Sequence, residues 1–412
     1  MQTRLNETIR DTPLGREADA ILRSCVHCGF CNATCPTYQL LGDELDGPRG
    51  RIYLIKEMLE TGHAGAGTQT HLDRCLTCLS CETTCPSGVQ YGRLLDIGRT
   101  QVDRRVKRSR RERWLRRILR LVAPYPKRIR MLLPLARQIP SLIPESLVHA
   151  LPSLQHTAER PPPTPRHARR VLLLDGCVQA AIDPGINGAA ARILDRLGIS
   201  VQPAAGGTCC GALSHHLSAE REAREFMICN INAWWRHVDG VEAIISTSSA
   251  CSLMLKQYAG LLGDDPEYGA KAHRVAALSR DISEFLAGED LTALRGDRDA
   301  VTAAFHAPCT LQHGLGQRGT VEGILSDCGY RLTTVADAHL CCGAAGTYSI
   351  LQPELADELR REKVTKLKAD GPEIIATANI GCLLHLKGHS QIPVRHWLEL
   401  IDDNPPGAKF RG

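Results

Sequence analysis

From about residue 168 onward, short apolar runs alternate with stretches whose apolar residues recur every three or four positions, the pattern of strands and helices taking turns. Val171-Leu172-Leu173-Leu174 is an unbroken apolar run and predicts a parallel strand covered on both faces; Val301 to Phe305 opens a second region in the same way. Earlier in the chain the spacing is helical, as over Ala18–Ser24 and over Arg51–Thr61, the latter closed by Gly62. Between Pro124 and Pro165 fall ten of the chain's 23 prolines, ending in Pro161-Pro162-Pro163-Thr164-Pro165. That composition resists a regular core and predicts a linker over a surface. The expected organisation is multidomain: an α-helical module over 1–100, a basic helix and Pro-rich linker over 101–167, and a duplicated α/β region with parallel sheets over 168–290 and 291–412.

With 412 residues and 43% apolar content, the chain is long enough for two or three cores. Its net charge of +5 hides an asymmetry: Arg99 to Arg130 holds fourteen Lys or Arg against Asp103 and Glu112. Trp114, Leu115, Ile118, Leu119 and Val122 fall there at helical spacing. Such a basic amphipathic helix can lie in the headgroup layer of an anionic membrane, dock on an acidic partner, or pack its stripe on its own protein. Aromatic content of 4% and the lack of a recognised motif beside the basic run argue against nucleic acid. The first twenty residues contain no apolar signal core, and no stretch approaches a membrane span. The expected location is a reducing cytoplasm, peripheral on the inner membrane, with cysteines held as thiols or by metal.

Those cysteines carry the chemistry. Cys25-x2-Cys28-x2-Cys31-x3-Cys35-Pro36 and Cys75-x2-Cys78-x2-Cys81-x3-Cys85-Pro86 are two copies of one run, fifty residues apart. Three thiolates at that spacing curl round one 4Fe–4S cube, and the fourth, turned away at the proline, ligates the other cube. Cys25, Cys28, Cys31 and Cys85 are thus expected at one cluster, and Cys35, Cys75, Cys78 and Cys81 at a second. Structural zinc also takes four thiolates but usually joins two separated pairs. Two cubes move single electrons; they do not themselves remake a substrate's bonds, so that chemistry belongs elsewhere.

A second pattern repeats downstream. Cys177 precedes Cys209-Cys210-Gly211 by 32 residues, and Cys309 precedes Cys341-Cys342-Gly343 by the same 32; Cys251 and Cys382 close the two copies. This is an internal duplication of about 132 residues. Each half puts cysteines at the carboxyl ends of predicted strands, where open α/β sheets build their sites. Four thiols per half suit a further iron–sulfur centre, a redox-active vicinal pair, or a skeleton of small buried hydrophobes without metal. Cys229 and Cys328 fall outside the pattern and are expected to be buried.

The Cys…Cys-Cys-Gly…Cys repeat resembles the cysteine-rich domain of heterodisulfide reductases, of lactate-utilisation proteins and of the small subunit of anaerobic glycerol-3-phosphate dehydrogenases. Joined to the N-terminal runs, and with the stretches Ala20–Cys31, Thr37–Lys56 and Thr377–Cys382, the chain resembles the iron–sulfur subunits of glycolate oxidases. The resemblance implies an oxidoreductase complex in which a separate subunit carries FAD, oxidises glycolate or a related 2-hydroxy acid such as lactate, and passes electrons through this chain toward quinone or another acceptor. The alternatives are a subunit of a related glycerol-3-phosphate dehydrogenase and a thiol or disulfide reductase. One departure stands out: where the heterodisulfide reductase pattern closes each repeat with Cys-x2-Cys, this chain has Ser248-x2-Cys251 and Asn379-x2-Cys382, leaving four thiols where the related larger cluster takes five.

Two further features compete. Gly314-Leu-Gly316-Gln-Arg-Gly319, with Asp337 downstream, matches a dinucleotide fingerprint, yet eight residues separate it from the predicted strand, whereas the fingerprint needs a tight turn. His306, His313, His339 and His385 cluster near the second repeat's cysteines and are candidates for carrying protons to a reduced quinone, or for ordinary hydrogen bonding.

Overall fold

The structure, a computed structural model, describes residues 1–138, 160–296 and 301–403; of the basic helix and linker expected over 101–167, residues 139–159 lie outside the described residues. The N-terminal module is helical, its main elements being Pro13–Ser24, Pro48–Thr61, Ala66–Asp73 and Tyr91–Arg105. Proline at the first helical position loses no intrahelical hydrogen bond, and Thr12 caps the first of these helices by accepting from the Gly15 N–H at 3.0 Å. The Pro48–Thr61 helix stops where Gly62 takes a left-handed conformation. Leu22, Ile55, Leu59, Leu72, Leu94 and Leu95 close the core with no exposed surface. The Tyr91–Arg105 helix runs past residue 100, so the module extends beyond its expected end.

The duplicated region forms two parallel four-stranded sheets: β1 Arg169–Leu173, β2 Ile199–Gln202, β3 Ile244–Ser246 and β4 Ser279–Asp281, then β5 Thr302–His306, β6 Arg331–Leu332, β7 Ile374–Thr377 and β8 Val394–His396. Their orders, β2-β1-β3-β4 and β6-β5-β7-β8, are identical. The apolar strands are buried because helices cover both faces, as their unbroken runs predict. The repeats exchange covers. The Gly185–Arg196 helix of the first packs on Trp397–Asp402 of the second, and Ile282–Leu286 of the first packs on Thr320–Asp327 of the second. One apolar core therefore runs through both, from Val171 and Ile193 to Phe305 and Trp397. At its edge Arg192, Arg160 and Arg196 converge on the nearly buried Asp402 at 2.7, 3.0 and 3.3 Å.

The helical module straddles both repeats. Asp96 pairs with His215 at 3.2 Å and Thr100 meets Glu220 at 2.9 Å on the first repeat. On the second, the Tyr348 hydroxyl donates to the Arg74 carbonyl at 3.1 Å, and Thr83 meets His313 at 2.9 Å.

The basic helix, Arg110–Val122, divides differently from its expected stripe. Ile118, Leu119 and Val122 turn inward toward a cavity, while Trp114 is 66% exposed. Helical spacing places Arg110, Arg113, Trp114, Arg117 and Leu121 on the outer side instead. Arg116 and Arg120 are not free cations, being paired with Asp73 and Glu112, and with Glu222.

Candidate metal centres

Among the described residues, none of the eighteen cysteines is joined in a disulfide. Cys25, Cys28, Cys31 and Cys85 line one small cavity, and Cys81 lines it too. The two runs wind alike: His27 and Gly29 in the first, and Thr77 and Leu79 in the second, all have positive φ. For a residue with a Cβ this conformation costs roughly 1–2 kcal/mol, and it curls the backbone round the sulfurs. The Thr77 N–H accordingly reaches the Cys75 sulfur at 3.4 Å. Burial and Cys25 push the Cys31 thiol up to about 11.

Cys35 lies among Cys75, Cys78 and Cys81. Burial holds the thiols of Cys78 and Cys81 well above the usual range, and their cysteine neighbours add to it. Two side chains with no signal in the sequence face this set. The Tyr91 hydroxyl donates to the Cys75 sulfur at 3.5 Å. Arg51, 1% exposed, brings Nη1 within 3.9 Å of the Cys35 sulfur and Nη2 within 3.1 Å of Thr37 Oγ1. Its charge is tethered by Asp46 at 3.4 Å, which also binds Arg74 at 2.8 Å and His71 at 3.0 Å.

In the repeats, the glycine of each Cys-Cys-Gly has a structural reason. Gly211 and Gly343 sit at φ of 91° and 92°, and each donates its N–H to the first sulfur of its pair at 3.5 Å. A Cβ on Gly343 would stand 2.7 Å from the Ala356 carbonyl oxygen, and one on Gly211 3.1 Å from that of Ala223. In the second repeat the sulfurs of Cys309 and Cys341 are 3.9 Å apart. A ring nitrogen of His306 and the sulfurs of Cys342 and Cys382 lie within 4.8 Å of one another. Lys363, 2% exposed, stands beside them and donates to the Asp337 carbonyl at 2.8 Å. Burial and Lys363 hold the His306 imidazole well below its ordinary range.

The two cysteine-rich regions meet. Cys78 and Cys341 share one buried patch with Leu76, Tyr348 and Leu359, and Cys309 packs against it. The first repeat is set differently: Cys177, Cys209, Cys210 and Cys251 border a cavity of about 950 Å³ between module and repeats, with Asp96 and His215 on its wall. Cys309 reaches the same cavity.

The other candidates have ordinary explanations. Gly314 lies where a Cβ would strike Leu253 at 2.6 Å, Gly319 starts a helix at positive φ, and Asp337 pairs with Lys366 at 2.8 Å. The glycines thus serve packing and chain reversal. His313 and His385 bond to the carbonyls of His339 and Ala356 at 2.8 and 3.2 Å. Cys328 is buried, but Cys229 is exposed, because Met227, Asn230, Ile231 and Trp234 take the inward face of its helix.

Crowded, unbridged sulfurs with backbone N–H groups and a buried cation aimed at them suit iron–sulfur ligation, which relieves their mutual repulsion. Comparison with known families agrees on the class: residues 21–89 match the 4Fe-4S dicluster domain, and residues 171–256 and 303–387 each match the cysteine-rich domain. The chain is thus an iron–sulfur protein. It is 50% identical over 98% of both chains to the glycolate oxidase iron-sulfur subunit of Escherichia coli (strain K12). A probable glycolate oxidase iron-sulfur subunit of Bacillus subtilis (strain 168) is 28% identical over 89% of this chain and 88% of its own. Lactate utilization protein A of the same strain is 26% identical over 57% of this chain and 99% of its own, so it matches only part of this one. The chain belongs to the family of glycolate oxidase iron–sulfur subunits.

Proposed function

We propose that this chain is the electron-relay subunit of a 2-hydroxy-acid oxidase, with glycolate as the substrate oxidised on an FAD-bearing partner. Cys25, Cys28, Cys31 and Cys85 would hold one 4Fe–4S cube and Cys35, Cys75, Cys78 and Cys81 the other. The observation that carries the reading is the shared patch of Cys78 and Cys341, which brings the second set against the cysteines of the second repeat. Electrons would enter at the first set, where Cys28 is exposed and Val26, Phe30 and Tyr53 offer 68%, 62% and 53% of their surface to a partner. They would leave by way of the second set and Cys309 at the large cavity.

A cavity of this size suits a quinone-class acceptor, with the Asp96–His215 pair as proton source. Trp114 and the arginines beside it would attach the complex to an anionic membrane surface. No helix among the described residues is long and apolar enough to cross a membrane. Thiol reductase chemistry is disfavoured: Cys309 and Cys177 are held well above the ordinary thiol range by the hydrogen bonds they donate to Cys341 and Cys209 and by burial, the reverse of an activated nucleophile.

The test is anaerobic purification with the co-purifying flavoprotein, iron and sulfide analysis, and addition of glycolate. At least about eight irons per chain and bleaching of the visible bands by glycolate are expected. Zinc in place of iron, or clusters that glycolate and lactate both leave oxidised, would refute the proposal.

A further inference from the structure

The repeats align with an offset of 132 residues at their first cysteine, so Leu174 of the first corresponds to His306 of the second. His306 ends β5, Leu174 directly follows β1, and both are 2% exposed. Leucine is an ordinary occupant of such a place. Histidine is not, because its Nε2 is buried with no hydrogen-bond partner. An unpaired buried polar atom of this kind costs roughly 1–3 kcal/mol. The neighbouring histidines show the usual remedy: His313, His385 and His396 each bond to a backbone carbonyl. His306 instead has a ring nitrogen within 4.8 Å of the sulfurs of Cys342 and Cys382.

The second repeat also lacks the residue that would complete a set of five donors. Asn379 stands where the related pattern has its additional cysteine, and its side chain is already engaged. Its Oδ1 accepts from the Gly381 and Cys382 N–H groups at 2.8 and 3.4 Å, and its Nδ2 meets Ser249 Oγ at 3.3 Å. The cap of the Ile380–Lys387 helix therefore uses up the one polar group that replaced a thiol. A fifth donor stands on the other side of the site, at the end of β5.

We propose that His306 is a nitrogen ligand of an iron–sulfur centre in the second repeat, together with Cys309, Cys341, Cys342 and Cys382. This rests on the relay reading above and adds a mixed donor set to it. The first repeat, with Leu174 and Ser248 at the matching places, lacks that donor. A neutral imidazole in place of a thiolate leaves the centre less negative, and imidazole ligation raises the potential of iron–sulfur centres. A centre so tuned would draw electrons from the cube at Cys78.

The experiment uses the full chain with its co-purifying partner, labelled with 15N-histidine and poised anaerobically at a series of potentials. Pulsed electron paramagnetic resonance should show a directly coordinated histidine nitrogen in a centre additional to the two cubes. That coupling should vanish in His306→Leu, which copies the first repeat and keeps the site apolar. His306→Cys should retain the iron and lower that centre's potential. Iron should fall from about twelve to about eight per chain in Cys342→Ser/Cys382→Ser.

A third centre without nitrogen coupling, or with coupling that survives His306→Leu, overturns the assignment. Iron that stays near eight in both the parent and the double serine variant, with both cubes intact, also overturns it while leaving the relay reading standing. Loss of the N-terminal cubes themselves would instead strike the relay reading.

Discussion

Arg51 should set the potential of the cluster proposed at Cys35, Cys75, Cys78 and Cys81. Its Nη1 is 3.9 Å from the Cys35 sulfur, and the side chain is 1% exposed. An electron added to a cube spreads over it, which puts the added charge about 7 Å from the guanidinium. At an effective dielectric of about 20 the attraction is about 2.4 kcal/mol, equivalent to about 100 mV for one electron. Arg51→Met should therefore lower this cluster's potential by about 100 mV and leave the one at Cys25 nearly unmoved. Removing Arg51 leaves the buried Asp46 carboxylate with only Arg74 and His71, a loss that can itself disturb the fold, so two companions are needed. Arg51→Lys keeps the charge and should stay within about 30 mV of the parent, since the Coulomb contribution is retained. Arg51→Met with Asp46→Asn removes one charge of each sign and should shift less than Arg51→Met alone. Redox titration of the intact complex, followed by electron paramagnetic resonance at low temperature, separates the clusters. A folded, fully loaded Arg51→Met protein with both potentials unchanged would refute the electrostatic argument.

Gly343→Ala should destabilise the second repeat by several kcal/mol, because a positive φ alone costs an alanine roughly 1–2 kcal/mol and its Cβ would also press on the Ala356 carbonyl; a chemical denaturation midpoint equal to the parent's would contradict this. Burial and Asp183 raise the Glu399 carboxyl to about 7, above its ordinary value of 4.5. The folded state thus holds this proton more tightly than the unfolded chain, so the contribution is full below about pH 4.5 and is lost as pH rises to about 7, by up to about 3 kcal/mol. Glu399→Gln should then gain stability over the parent at pH 8 but much less at pH 5.5, and a pH-independent difference in thermal melts would count against it. Val26→Asp with Phe30→Asp should cut glycolate-driven reduction at least tenfold while iron content stays constant, since a charge in a desolvated partner contact costs more than about 1.4 kcal/mol. Trp114→Ser with Arg113→Glu and Arg117→Glu should abolish flotation with anionic vesicles; unaltered flotation would remove this face as the attachment site.

What the chain discloses in advance depends on how local the determinant is. The two N-terminal runs are legible because ligation fixes spacing within a dozen residues, and the strand-end cysteines because a duplicated interval marks them twice. Arg51 and Asp46 are not legible, since nothing in the sequence says that the start of the Pro48–Thr61 helix folds back beneath the second run. Trp114 lies on the opposite face from the expected one because its spacing fits both the inward and the outward side of one helix. Cys229 lies outside rather than inside, and the periodicity of Met227, Ile231 and Trp234 already puts it there. In the sequence read straight through, His306 is one of several histidines. Aligning the repeats residue by residue sets it against Leu174, a difference visible without any structure.

The contact between Cys78 and the patch around Cys341 bears on how the protein matures. With the N-terminal module settled over the second repeat, the sulfurs of Cys341, Cys342 and Cys382 are buried, out of reach of a donor scaffold. Any iron delivered there has to arrive while the halves are still apart. Were the second repeat to hold iron, the segment made first on the ribosome would have to stay undocked until the segment made last was filled.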